Sequence, residues 1–186
     1  MVQIQLAKTI EELIEVLALQ QANLRKNISE EEATTQGFLM AEYDLAFLEL
    51  LHKNSPSILA KVGEKVVGYS LVALPDNARH HPLLADLVAN IERCIYDGKP
   101  VTNYAIVAQL CVSKDYCGQD LVQKLYGGFQ EHYASRFDFC VTDVAQANAR
   151  SLKAHQKRGF QVIDTLSYGG IGWDIVLWDW NKKSVS

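Results

Sequence analysis

Alternating and apolar runs along the chain predict a series of β-strands. Residues 2–6 alternate between polar and apolar side chains, which is typical of a half-buried strand. Two apolar, β-branched runs, 57–62 and 65–74, are separated by Gly63-Glu64, and a two-residue connection that begins with Gly favours an antiparallel hairpin. Four more runs predict the remaining strands, at 101–112, 137–144, 160–166 and 173–180.

Helical patterns separate these strands. Two residue pairs have the spacing of a capping box, namely Thr9 with Glu12 and Ser29 with Glu32. In this motif the two side chains accept hydrogen bonds from backbone amides that the start of a helix leaves without partners. We therefore expect a helix to begin at each pair. Residues 44–52 predict a further helix.

The segment 75–100 predicts a helical insertion between the third and fourth strands. Pro82 suits the first turn of a helix, and apolar residues follow it at helical spacing. Gly98 is predicted to end this helix.

Two later helices surround the predicted fifth strand. One runs from Leu121 to about Arg136, and the other begins at Asn148, a good N-cap, and ends before Gly159, where a left-handed residue belongs. A strand, a helix and a second strand in this order form a right-handed crossover between parallel neighbours. The pattern predicts one α/β domain over residues 1–186, built on a mixed sheet.

Composition agrees with an ordinary globular domain. The chain has 186 residues, of which 48% are hydrophobic, and its formal net charge is −4. Charges are spread without like-charged blocks, so we expect neither a nucleic-acid nor a membrane partner, and no leader is evident, so a cytoplasmic location is expected. The four cysteines form no Cys-x-x-Cys pair, and no metal site is predicted.

Two stretches resemble motifs of the GCN5-related N-acetyltransferase (GNAT) family. The run Ala108 to Val122 is similar to that family's fourth strand, pyrophosphate loop and third helix, and Asn148 to Phe160 is similar to its helix that ends in Gly-Phe. The resemblance covers nearly the whole chain. It implies a mixed, mostly antiparallel sheet with a parallel strand pair in the middle and helices on both faces. It also implies acetyl-CoA as cosubstrate, held in a cleft between the fourth and fifth strands, with direct acetyl transfer to an amine.

The loop before the helix at Leu121 is the predicted anion site. A loop that feeds a helix N-terminus leaves amides unpaired at a positive dipole end, which attracts a phosphate. The family motif is degenerate here, because Cys117, Asp120 and Val122 replace a basic or amide residue, a glycine and a small residue. The Asp120 carboxylate repels a pyrophosphate, or caps the helix and takes the anion's place. The resemblance nevertheless implies cofactor contacts at Leu110, Cys111, Val112, Cys117, Gly118, Gln119, Asp120, Leu121, Val122, Asn148 and Ser151.

Two titratable residues are candidates for the chemistry. The resemblance places His155 where the family has a tyrosine that protonates the departing thiolate, and a histidine can do this work near neutral pH. Asp143, at the end of the fifth strand, is the candidate base, with a turn or cap role as its alternative. Gln109 cannot act as a base, although its amide can orient a substrate. The alternative to a catalytic role for His155 is that it is only a residue on the helix surface. The alternative to a cofactor contact for Asn148 is that it is only an N-cap.

Two other functions stay open at this point. A degenerate member of the fold binds CoA or another ligand as a sensor without catalysis, and Cys117, Asp120 and His155 favour that alternative. The second alternative is a partner-binding module that uses the Trp-rich end of the chain. A homodimer is one form of it. The amine, whether of a small molecule or of a protein, is not specified by the sequence.

Overall fold

A computed structural model describes residues 1–182, and within them the chain forms nine strands and seven α-helices. The strands are β1 (Val2–Leu6), β2 (Ile58–Val62), β3 (Lys65–Ala73), β4 (Ile95–Tyr96), β5 (Lys99–Pro100), β6 (Tyr104–Val112), β7 (Phe139–Ala145), β8 (Gln161–Tyr168) and β9 (Ile171–Asp179). The helices are α1 (Ile10–Asn23), α2 (Glu30–Gln36), α3 (Leu45–Asn54), α4 (Pro75–Ala78), α5 (Pro82–Ile91), α6 (Leu121–Tyr133) and α7 (Ala149–Arg158). Both predicted capping boxes are present, at Thr9 and Ser29.

Seven of the strands form one sheet in the order β1-β2-β3-β6-β7-β9-β8. All neighbours are antiparallel except β6 and β7, which are parallel. Helices α1, α3 and α5 bury apolar residues against one face of the sheet, and α6 packs against the other. The predicted α/β fold, with its parallel pair in the middle of a mixed sheet, is confirmed.

The parallel pair separates part of the way along its length. Strand β6 pairs with β7 only from Tyr104 to Ile106, although both strands continue beyond that point. A bulge in β6 accompanies the separation, because its pairing with β3 passes from Gln109 directly to Val107. Where the backbones no longer pair, the hydroxyl of Thr142 donates a 2.7 Å hydrogen bond to the carbonyl of Val107. The result is a cleft that opens between two central strands.

The segment between β3 and β6 differs in part from its prediction. Helix α5 begins at Pro82 as expected but ends at Ile91, and Gly98 does not end it. Asp97 and Gly98 both have positive φ and form the turn of the short β4–β5 hairpin. An Asp-Gly pair with two positive φ angles is a strong hairpin signal, which the helical pattern of this region obscured.

The longest helix in residues 1–182 has 14 residues, and none of these helices has the length and apolar character that a bilayer crossing requires. Among the same residues there is no cluster of three or more His, Cys, Asp or Glu side chains suited to a metal ion.

Candidate active site

Two connected cavities lie in the cleft where β6 and β7 separate. The inner cavity is bounded by the diverging strands at 107–110 and 142–145, together with Leu83 and Trp173. The outer cavity is bounded by 110–112, by Cys117 and Val122 at the start of α6, and by α7. Six residues line both cavities, namely Phe38, Leu39, Leu110, Asn148, Ser151 and His155. The cleft therefore runs continuously from the N-terminus of α6 to the far end of the inner cavity.

The start of α6 presents free amides beside the outer cavity. Lys124 is the first residue of this helix whose N–H bonds to a preceding carbonyl, that of Asp120. Within residues 1–182, the amides of 118–123 have no intramolecular acceptor. Unpaired amides at a helix N-terminus favour an anion.

Asp120 does not cap α6, so the alternative in which its carboxylate takes the anion's place is wrong. Its backbone is left-handed, with φ of 58°, and its side chain accepts no bond from the helix. The carboxylate instead lies 3.1 Å from the ammonium of Lys157 on α7. A left-handed backbone is one that glycine adopts without strain, whereas an aspartate adopts it at some cost. The amides are left accessible, but an unfavourable charge lies close to them.

The chain from α2 to Phe38 covers the outer cavity. Lys114 forms an ion pair with Glu32, and the Arg150 guanidinium donates to the carbonyl of Thr35. Asn148 accepts from the N–H of Ser151 as the cap of α7 and donates to the carbonyl of Phe38 at 3.3 Å. Asn148 thus has the predicted capping role and also joins α7 to the opposite wall.

His155 is buried at the junction of the two cavities, so its placement on the helix surface is wrong. Its Nδ1 lies 2.7 Å from the carbonyl of Ser151, and its Nε2 lies 2.5 Å from the hydroxyl of Tyr126. Burial lowers the pKa of His155, and the bond to the Ser151 carbonyl opposes this effect in part. The neutral imidazole is the main form at neutral pH.

Asp143 lies in the wall of the inner cavity rather than in a turn or at a helix cap. It is part of β7, and its Oδ2 is buried without a hydrogen-bond partner among the described residues. Burial raises the pKa of this carboxyl to about 7, and the negative charge of Asp86 adds to the effect. A carboxyl that titrates near neutral pH can both accept and release a proton.

Gln109 is used for structure rather than for a substrate. Its amide donates 2.7 Å to the carbonyl of Ala41, and its oxygen accepts from the hydroxyl of Tyr69 at 2.7 Å. The Tyr43 hydroxyl donates to the carbonyl of Ala108, the extra residue of the bulge, at 2.8 Å. These buried bonds hold the opened part of β6 in place.

Most of the predicted site residues meet in this cleft. Eight line the outer cavity, which are Leu110, Cys111, Val112, Cys117, Val122, Asn148, Ser151 and His155. Gly118, Gln119 and Asp120 lie in the exposed loop outside both cavities, and the Leu121 side chain is buried in the core under the sheet. These four residues can contribute to ligand binding only through their backbone groups or through their charge.

Sequence reasoning missed Leu83 and Thr142, whereas the resemblance pointed to the residues around Gly37-Phe38. Leu83 was indistinguishable from the core residues of its helix. Thr142 has an ordinary β-branched strand signature. Only the separation of β6 from β7 gives its hydroxyl a function.

Comparisons with known proteins concern the family and the fold of the chain. The model of the acetyltransferase (GNAT) family matches residues 24–160. No curated protein sequence matches at a significant level.

Solved structures share the fold over nearly the whole chain. The ribosomal-protein-S18-alanine N-acetyltransferase of Escherichia coli is 12% identical, with a TM-score of 0.65 over 100% of this chain and 97% of that one. Arabidopsis thaliana NAA60 in complex with acetyl-CoA is 12% identical, with a TM-score of 0.63 over 96% and 99%. The putative acetyltransferase yncA of Salmonella typhimurium, solved with acetyl-CoA, is 14% identical, with a TM-score of 0.60 over 99% and 96%.

Proposed function

Because the chain belongs to the acetyltransferase (GNAT) family, we propose that it transfers the acetyl group of acetyl-CoA to a primary amine. The observation that carries the proposal is the continuous cleft. It begins at the free amides of α6, passes His155, and ends at Asp143. Two of the structures that share its fold were solved with acetyl-CoA.

The residues of the outer cavity fit the cosubstrate. The amides of 118–123 offer hydrogen bonds and a positive dipole end to the pyrophosphate. The diverging β6 presents the backbone of Leu110 and Val112 to the pantetheine arm, as an unpaired strand edge does for an extended ligand. Ser151 and Asn148 supply polar groups from α7.

Asp143 is the proposed base in the inner cavity. An amine is protonated at neutral pH and cannot attack until it loses a proton. The Asp143 carboxylate takes that proton, and the free amine then attacks the thioester carbonyl directly, without an acyl-enzyme. The elevated pKa of Asp143 makes it a stronger base than an exposed aspartate.

Protonated His155, the minor form at neutral pH, is the proposed acid for the departing thiolate. It borders both cavities, where the reacting thioester is expected. Each ring nitrogen already has a partner, so proton transfer to sulfur requires one of these bonds to open. The Tyr126 hydroxyl can accept as well as donate, so its contact with Nε2 is compatible with both protonation states of the ring.

Calorimetric titration with acetyl-CoA and CoA, at low and at moderate salt, tests the proposal. We expect micromolar binding that salt weakens, because phosphate contacts are screened. Ala154→Trp places a large ring in the outer cavity and should abolish binding. Lys153→Trp adds the same ring to the exposed side of α7 and should retain it. Absence of binding at millimolar ligand would contradict the proposal and favour a non-catalytic member of the fold.

A further inference from the structure

The inner cavity combines apolar walls with several polar groups. Its apolar side chains come from separate parts of the chain and include Phe38, Leu39, Met40, Leu83 and Trp173. Among residues 1–182, Asp143 and His155 are the only titratable side chains that line it, and burial keeps His155 mostly neutral. An acceptor in this cavity therefore meets apolar walls and a single carboxyl.

The segment from α4 to β5, residues 75–100, closes one side of this cavity through Leu83. The segment is firmly held and is not a mobile lid. Four other residues of α5 are buried in the core, namely Leu84, Leu87, Val88 and Ile91. The Asn77 amide donates to the carbonyl of Leu50 at 3.2 Å, and Lys182 lies 2.7 Å from the carboxylate of Asp97. Leu83 is thus a fixed wall.

The same turn of α5 supplies a second negative charge. Asp86 follows Leu83 by three residues, so the two side chains lie on one face of the helix. Because Leu83 lines the cavity, Asp86 lies on the side of α5 that faces it, and its negative charge contributes to the raised pKa of Asp143. Neither Asp143 nor Asp86 forms an ion pair with a cation in residues 1–182. Two carboxyl groups without a counterion favour a cationic ligand.

The space is small. The inner cavity encloses about 100 Å³, whereas an apolar cavity that holds benzene has about 150 Å³. A folded protein that presents an amine needs an open groove for its backbone. Leu83 and Trp173 are both buried and form part of the cavity wall.

From these observations we propose that the acceptor is a small cationic alkylamine, selected for size by Leu83 and for charge by Asp86 with Asp143. This inference rests on the proposed acetyl transfer at the same site. It assigns the segment 75–100 a direct part in the choice of acceptor.

A panel of amines tests the acceptor class. Release of CoA from acetyl-CoA is measured with propylamine, butylamine and phenethylamine, and with two peptides, one with a free N-terminus and one with an internal lysine. Mass spectrometry of the acetylated product excludes simple hydrolysis. We expect kcat/KM at least about tenfold higher for the best alkylamine than for either peptide. A preference for the peptides overturns the inference while leaving acetyl transfer intact.

Two substitutions test the named residues. Leu83→Ala should raise kcat/KM for phenethylamine relative to propylamine by about tenfold, because it removes a wall. Ala89→Ser, on the exposed face of the same helix, should change neither value. If the smaller side chain of Leu83→Ala prevents folding, Leu83→Met is used as a second variant because it conserves volume. It should leave the ratio of kcat/KM for phenethylamine and propylamine near that of the unsubstituted protein.

Asp86→Asn should raise KM for the alkylamines several-fold with a smaller change in kcat, because it removes charge and not the base. Asp76→Asn, a fully exposed carboxylate of the same segment, is the matched control. Acetyl-CoA binding is measured for each variant in parallel. If the unsubstituted protein does not bind acetyl-CoA, the proposed function itself is refuted. If it binds acetyl-CoA but acetylates no amine in the panel, the proposed acceptor class is refuted.

Discussion

The hydroxyl of Tyr126 lies 2.5 Å from Nε2 of His155, and both side chains are buried. The opposite ring nitrogen faces the carbonyl of Ser151, which can only accept. Nδ1 therefore carries the hydrogen of the neutral ring, and Nε2 accepts from the tyrosine. Tyr126 positions the imidazole in one tautomer and one orientation, between a core of aromatic rings and the cleft.

Replacement of His155 separates catalysis from binding. His155→Phe retains an aromatic ring but carries no proton, so we expect kcat to fall by about 10² or more with little change in the Kd of acetyl-CoA. Tyr126→Phe removes only the positioning bond and should cost about tenfold in kcat. Steady-state kinetics and calorimetry on the two variants measure both effects. Full activity in His155→Phe would remove the histidine from the mechanism.

Removal of the Asp120 charge should strengthen cosubstrate binding. Asp120→Asn tolerates the left-handed backbone, and Asp120→Gly adopts it without strain, so each removes the repulsion beside the free amides. We expect an affinity gain of about fivefold for CoA at low salt, smaller at high salt. Asp115→Asn removes an exposed charge from the same loop without a left-handed backbone and is the control. Unchanged affinity in both Asp120 variants would show that the loop does not face the pyrophosphate.

The pH dependence of activity should reflect the ionisation of the Asp143 carboxyl. As the base it must be ionised, and its pKa is raised to about 7, so kcat/KM should increase with pH on the acidic limb of the profile. Asp143→Asn should lower kcat by about 10²–10⁴ and abolish this limb. The Asp86 carboxylate adds to the raised pKa of Asp143, so Asp86→Asn should move the limb to lower pH. A limb that persists in Asp143→Asn would assign the base to another group.

The same carboxyl affects stability in a defined direction. Its folded pKa lies above its unfolded value, so its contribution to stability is complete at low pH and is lost as pH rises toward about 7. The free energy of unfolding of Asp143→Asn, relative to the unsubstituted protein, should therefore increase from pH 4 to pH 8. Urea unfolding at several pH values measures this difference.

Two adjacent glycines of α6 should respond in opposite ways to alanine. A Cβ on Gly128 would lie 2.7 Å from a methyl of Ile4 and 2.9 Å from a methyl of Ile58, because the helix packs directly on β1 and β2. We expect Gly128→Ala to lower the free energy of unfolding by about 1–3 kcal/mol. A Cβ on Gly127 has its nearest neighbour, the Arg158 guanidinium, at 3.7 Å, so Gly127→Ala should gain up to about 1 kcal/mol of helix propensity. Equal effects in urea unfolding would contradict this packing.

Local signals were sufficient for most of the elements. The capping boxes at Thr9 and Ser29, the cap at Asn148 and the left-handed Gly159 each depend on residues within one turn of chain, so their sequence pattern contains the whole cause. The order of these elements also predicted the mixed sheet and its parallel pair. The Asp97-Gly98 turn was a local signal too, and it was misinterpreted because the helical period before it was stronger.

The site itself was predicted only as a set of candidates. His155 and Asp143 were identified from the sequence, but their burial, their partners and the elevated pKa of Asp143 come from residues far away along the chain, such as Tyr126 and Asp86. The sequence alone determined which groups are present and where helices and strands begin. The tertiary structure decided which groups share a cavity, where Asp120 directs its charge, and that Leu83 closes one side of the inner cavity. Those properties depend on dielectric surroundings and on contacts between distant segments, which no local pattern encodes.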